Sequence, residues 1–281
     1  WGGYSTAASY PSNSSSNHAI YNMNQLDNNI SYNTINSRTV SGTAVSFRGI
    51  LVNYTNPPTA ATTTNVNNNT ITLKSGFTSG AFECISTQGI STANANATIN
   101  VNNNNLVNSV ISGAATSSAF IGIANLSAPG TLNITGNTIS GVTTTATTGG
   151  FTGIASQTGA VVNAININNN QIGTASSPAV TFSATTTGTV TGVGVTAAAA
   201  TCATSISNNT FRNATITSGF TGFGNTAASA SLAMNGNVIR DISTNSTSGT
   251  FTGVTNTAAV VNAISMNNNL LGGGASNTIT Y

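Results

Sequence analysis

The chain has 281 residues, only 3% of them charged, and a formal net charge of +2. With no gathered Lys or Arg it lacks the footprint of a nucleic-acid binder, which collects basic residues on one face. No run of 18 or more apolar residues is present to insert in a membrane as a helix. Asn, Thr, Ser, Ala and Gly fill the space, a composition that would suit disorder unless the apolar residues keep a strict pattern.

They do. Residues 1–27 fit the pattern poorly. Trp1, Tyr4, Tyr10 and Pro11 precede a Ser/Asn-rich run to His18, and Ile20 to Leu26 resemble the end of a coil. This stretch is expected to be an irregular lead-in or a partial coil. Residues 28–281 are expected to form one continuous body. In them a phrase recurs, seen clearly in Ala164-Ile165-Asn166-Ile167-Asn168-Asn169-Asn170-Gln171-Ile172. The asparagine two places before the last apolar residue serves as an anchor. It is Asn33, Asn69, Asn104, Asn137, Asn170, Asn209, Asn237 and Asn269, at steps of 28 to 39 residues and about 34 on average. Periods of this size mark solenoids, propellers or arrays.

Three places before the anchor stand Ile30, Val66, Val101, Ile134, Ile167, Ile206, Met234 and Met266. Two places after it stand Ile35, Ile71, Leu106, Ile139, Ile172, Phe211, Ile239 and Leu271. Every one is apolar. Five places before it the alternation continues, with Asn28, Thr64 and Thr204 as departures. Alternation of period two puts one side of a strand in a core.

A second phrase follows each anchor, as in Phe120-Ile121-Gly122-Ile123 and Phe151-Thr152-Gly153-Ile154. Cys84 takes the Gly place in one copy and Val190 the Phe place in another. It reads as a further strand, bent or closely approached at the Gly. A short strand is expected just after the anchor, at Thr138 to Val142. The longest connection, residues 171–189, is the expected protrusion, and Pro57-Pro58 and Pro129 are expected between strands.

Helical repeats need a 3.6-residue apolar period, and propeller blades need four antiparallel strands with hairpin turns. Neither is present. The pattern predicts an all-β fold, a parallel β-helix (β-solenoid) of about 7–8 coils, with equivalent residues stacked ~4.8 Å apart. Stacking turns the anchors into an Asn ladder, since a row of amides can hydrogen-bond from coil to coil. It also sets Arg48 against Glu83 as an exposed cross-rung ion pair, and Arg212 against Arg240 with Asp241 beside them. Cys84 and Cys202 lie more than three repeats apart, beyond the reach of a disulfide, and are expected to be free thiols packed as small apolar residues. The chain begins at Trp1 and stops part-way round a coil without a recognisable cap. It is expected to be a piece of a longer protein that continues beyond its C-terminus.

Gly136-Asn137-Thr138-Ile139-Ser140, then Phe151-Thr152-Gly153-Ile154, then Ile165-Asn166-Ile167-Asn168-Asn169-Asn170, resembles the β-strand repeats of very large secreted surface proteins of Bacteroidota. The resemblance covers about residues 28–281. It implies right-handed parallel β-helix segments in adhesins or cell-surface appendages. It also implies an extracellular location, often reached by the type IX secretion route.

The chain's chemistry is sparse. Its carboxylates are Asp27, Glu83 and Asp241, placed in different coils. Polysaccharide lyases and hydrolases on this fold need theirs clustered, or a base with a bound cation. His18 is expected to be a surface residue. No Gly-x-Ser-x-Gly elbow is present, nor the Asp-rich turns of calcium-binding repeats. No catalytic residue, cofactor or metal is therefore expected. The expected role is a shaft or stalk of a giant adhesin, fibre or hook, self-associating into a homo-oligomeric bundle because low charge does little to prevent it. A glycan or cell-surface target is the alternative, and an ice-binding solenoid is the second. The tracts Thr143-Thr144-Thr145 and Thr185-Thr186-Thr187 prompt that last idea.

Overall fold

The computed structural model describes residues 17–39, 46–54, 60–77, 79–90, 94–113, 117, 119–244, 249–272 and 279–280. Pro57-Pro58 lies outside them. Among these residues there is no helix, and every strand pairing is parallel. The fold is a parallel β-helix.

Each coil runs through three long sheets in the same order. Sheet A takes Asn17–Met23, Phe47–Asn53, Ala81–Gln88, Ala119–Leu126, Phe151–Ser156, Val190–Val195, Phe220–Asn225 and Phe251–Asn256. Sheet B takes Asn28–Ser31, Thr62–Asn67, Asn94–Asn102, Pro129–Thr135, Ala164–Asn168, Ala203–Ser207, Ser229–Ala233 and Val260–Ser265. Sheet C takes Thr34–Asn36, Thr70–Thr72, Asn105–Val107, Thr138–Ser140, Gln171–Ile172, Thr210–Ile216, Val238–Thr244 and Leu270–Leu271, with Ile279–Thr280 also beside Val238–Thr244. A short sheet D adds Lys74–Ser75, Val110–Ile111, Val142–Thr144 and Val180–Phe182.

Of the two expectations for the lead-in, the described part, from Asn17 on, takes the form of a coil. Asn17–Met23 is a full strand of sheet A, with His18 opposite Arg48 and Ile20 opposite Ile50. Its phrase is hard to recognise because Asn17 stands in the Phe column and Ala19 in the Gly place. The expected protrusion is also smaller than its sequence length. Two residues separate Ile139 from Val142, while seven separate their partners Ile172 and Val180. Only the turn at 174–178 leaves the wall, and Val180–Phe182 returns to it. Pro129 is not between strands. It opens a strand of sheet B, a place where the missing N–H is tolerated.

The inward columns form the core. Val66, Val101, Ile134, Ile167 and Ile206 are fully enclosed, as are Ile71, Ile139, Ile172 and Ile239. In the last coil the same columns reach solvent at Ile264, Met266 and Leu271. The polar departures are satisfied inside. Thr64 bonds the Tyr54 hydroxyl, and Thr204 Oγ1 lies 2.9 Å from Ser229 Oγ. Gly122 shows why its column excludes side chains. A Cβ there would sit 2.6 Å from the Gly153 carbonyl oxygen and 2.7 Å from Ile139 Cδ1.

Two coils break the columns and compensate within themselves. The Phe column runs Phe47, Phe82, Phe120 and Phe151, with neighbouring ring centroids 5.4 to 6.0 Å apart. Val190 interrupts it, and in that coil Phe211 replaces the usual Ile. Phe211 reaches Phe151 at 6.5 Å and Phe220 at 5.0 Å, so the aromatic file continues through a different strand. In the Cys84 coil, Ser109 occupies the place that Leu73 and Val142 hold in adjacent coils. The smaller serine leaves room for the thiol, with Cys84 Sγ 3.8 Å from Ser109 Oγ.

Candidate functional site

The most regular feature is the corner between sheets B and C. The residue before each anchor turns the chain in a left-handed conformation. These residues are Tyr32, Asn68, Asn103, Gly136, Asn169, Asn208, Gly236 and Asn268, all with φ between 55° and 67°. Asn and Gly tolerate that conformation, which accounts for the asparagine runs. The anchor itself does something else: it faces inward and joins a ladder.

Asn104 shows the pattern. Its backbone N–H and side-chain Nδ2 both donate to Asn137 Oδ1, at 2.9 and 3.0 Å. A second Nδ2 hydrogen goes back to the Val66 carbonyl at 2.7 Å. Its own Oδ1 accepts from the backbone N–H and Nδ2 of Asn69. Two donors and two acceptor sites are thus all used, the full capacity of an amide. Bonds of the same kind link Asn33 to Asn69, Asn137 to Asn170, Asn170 to Asn209, Asn209 to Asn237 and Asn237 to Asn269.

A second amide row was not anticipated. Asn65, Asn100, Asn133 and Asn166 stack on the outer face of sheet B, and each of the last three donates from Nδ2 to the Oδ1 of the one before it at 2.8 Å. The signal was present four places before the anchor, in five successive copies beginning at Asn29. The threonine tracts do not stack as tracts. Thr143 lies between Val110 and Thr181, and Thr144 between Ile111 and Phe182. A threonine column exists elsewhere, at Thr152, Thr191, Thr221 and Thr252 of sheet A.

The three carboxylates are all engaged in local contacts. Arg48 Nε meets Glu83 Oε2 at 2.5 Å. The pair is not exposed as expected: Arg48 is 8% and Glu83 3% accessible. Alternation along a strand says which way a side chain points, not what covers it. His18 shares their column rather than lying free on the surface. Partial burial, and then the Arg48 charge, hold its imidazole below the ordinary range, against a smaller opposing pull from Glu83. Arg212 Nη2 bonds Asp241 Oδ2, and Arg212 lies beside Arg240 in the same column. Asp27 Oδ1 accepts the Thr63 backbone N–H at 2.9 Å.

Cys84 and Cys202 are free and buried. Burial pushes the Cys84 thiol up to about 12 and raises Cys202 as well. Among the described residues no three His, Cys, Asp or Glu gather as a metal site, and no helix is long and apolar enough to cross a membrane. No protein-family model, curated protein or solved structure matches the chain.

Proposed function

We propose that this chain is a shaft segment of a large extracellular adhesin or appendage, of the kind its repeats resemble in Bacteroidota, and that its role is structural rather than catalytic. The observation that carries this reading is the anchor ladder. Eight amides, one from each coil, stand in a row, six of them buried, each bonded to the next. Such a body gains rigidity from repetition, because every coil is fixed by its neighbours. Few Lys and Arg leave few sites for trypsin-like proteases, which suits exposure outside a cell. Low charge favours side-by-side association of several shafts into a fibre or bundle.

Immunogold electron microscopy of intact source cells, with antibodies raised against the purified chain, tests this. Label along rods or filaments at the surface is the expected result. Label confined to the cell interior would overturn it. Mass measurement at high concentration distinguishes bundled shafts from single stalks.

A further inference from the structure

The five basic residues are not spread evenly. Arg48 is neutralised by Glu83 on sheet A. Of the other four, Arg212 and Arg240 lie in strands of sheet C, Lys74 lies in a strand of sheet D, and Arg38 lies just after the sheet C strand Thr34–Asn36. Lys74 opens a strand of sheet D, its backbone N–H held by Ser37 Oγ at 2.7 Å, and exposed Arg38 follows Ser37 in the preceding coil. Arg212 and Arg240 pair in adjacent strands of sheet C. The one carboxylate on this side is Asp241, bonded by Arg212. The remaining acid, Asp27, lies at the start of sheet B. Four positive charges and one negative one therefore give this side +3, while the net charge of the whole chain is +2.

The two basic pairs are separated along the axis. Lys74 follows the anchor Asn69 and Arg212 follows Asn209, four coils later, about 19 Å at ~4.8 Å per rung. Like charges on neighbouring rungs repel, and neither pair is fully compensated. Asp241 bonds Arg212 and makes no ion pair with Arg240, and the Nε atoms of both arginines are buried without a hydrogen-bond partner. Beside this pair stands the turn that leaves the wall. Asn213 Nδ2 donates to the Thr174 carbonyl at 3.1 Å and fixes the turn onto the arginine rung. Exposed Ser176 and half-buried Thr174 add hydroxyls there.

We propose that the C/D side binds a linear acidic polysaccharide, whose carboxylate or sulfate groups bridge the Arg38/Lys74 and Arg212/Arg240 pairs. A polymer lying along the shaft engages both. Each contact is weak alone, and linking them raises affinity without new contacts. Guanidinium forks match carboxylate and sulfate oxygens, and hydroxyls at the turn can bond sugar oxygens. This deepens the adhesive reading by naming a target chemistry, but its test needs only the purified chain. It can therefore fail while surface labelling succeeds, and the reverse.

The purified chain is passed over immobilised polygalacturonate, dextran sulfate, neutral dextran and double-stranded DNA at low and physiological salt. Retention on either acidic polysaccharide is expected, falling with salt and absent on neutral dextran. The polymer that retains it identifies the group as carboxylate or sulfate. R212Q/R240Q and R38Q/K74Q should each weaken retention by about tenfold or more, as loss of one of two linked contacts predicts. Should the first double variant fold poorly in a thermal melt, the second keeps the test decisive, since Arg38 and Lys74 make no ion pair among the described residues. No retention on either acidic polymer would overturn the proposal. So would unchanged retention of R38Q/K74Q, or DNA binding as tight as that of the polysaccharides.

Discussion

Asn104 donates both its backbone N–H and a side-chain hydrogen to one oxygen, Oδ1 of Asn137 in the next coil. The oxygen's two acceptor sites are filled by one residue, so removing it orphans both donors at once. Asn137 also donates to the Val101 carbonyl at 2.8 Å and to Asn170. Asn137→Ala should therefore cost ~3 kcal/mol or more, because each unsatisfied buried group costs ~1–3 kcal/mol. Asn133→Ala, in the half-exposed outer row, should cost less than ~1 kcal/mol. Urea unfolding of the two variants makes the comparison, and equal losses would contradict the inward saturation of the anchor.

Val190 and Phe211 make a second test. Phe211→Ile opens a gap between Phe151 and Phe220 and should destabilise by ~1–3 kcal/mol. Val190→Phe adds a ring where Phe211 already lies and should destabilise by a similar ~1–3 kcal/mol. The double variant restores the file found in other coils. It should recover most of the loss, a coupling of ~1–3 kcal/mol in a double-mutant cycle. Additive losses would show that the two positions do not share one space.

Partial burial holds the His18 imidazole below its ordinary value of about 6.5. The unfolded chain therefore takes up a proton before the folded one does. Stability is fully present above the unfolded value and falls as pH drops through it. The first coil of the wild-type chain should lose stability on acidification from about pH 7.5 to about pH 5. His18→Gln should show a smaller change over that interval. Hydrogen-exchange protection of Asn17–Met23, corrected for intrinsic rates, reads this directly. Identical pH responses in the two proteins would exclude His18 as the titrating group.

Cys84, pushed up to about 12 by burial, is almost wholly protonated at ordinary pH. Since the thiolate is the reactive form, iodoacetamide should label neither cysteine in the folded chain and both after unfolding. Labelling at the rate of a free thiol would place Cys84 outside the core.

Much of the fold was legible because stacking writes each core position once per coil. The columns at Ile134 and Ile139 are visible by comparing the chain with itself. The first coil was legible only as a possible partial coil, because Asn17 and Ala19 lack the Phe and Gly that mark the phrase. The insertion at 174–178 was legible in length but not in extent, since Val180–Phe182 rejoins the wall through backbone bonds that carry no residue signature. Burial of Arg48 and Glu83 was not legible, because it depends on what packs over an outward face. The basic side was hidden for a related reason. Arg38, Lys74, Arg212 and Arg240 are far apart in sequence, and only the common order of sheets C and D puts them together.

The stacking also sets how the molecule would respond to being pulled. Neighbouring coils are about 4.8 Å apart, yet one coil such as that from Asn104 to Asn137 contains 33 residues. Peeling it from the end would release roughly 110 Å of extended chain at about 3.3–3.6 Å per residue. Tension would therefore be relieved in discrete steps, each a more than twentyfold lengthening of the rung that gave way. Coils further in would keep their contacts until their turn came. A stack built this way is stiff under small loads and lengthens under large ones, so a sudden pull is absorbed by its end before the rest of the body yields.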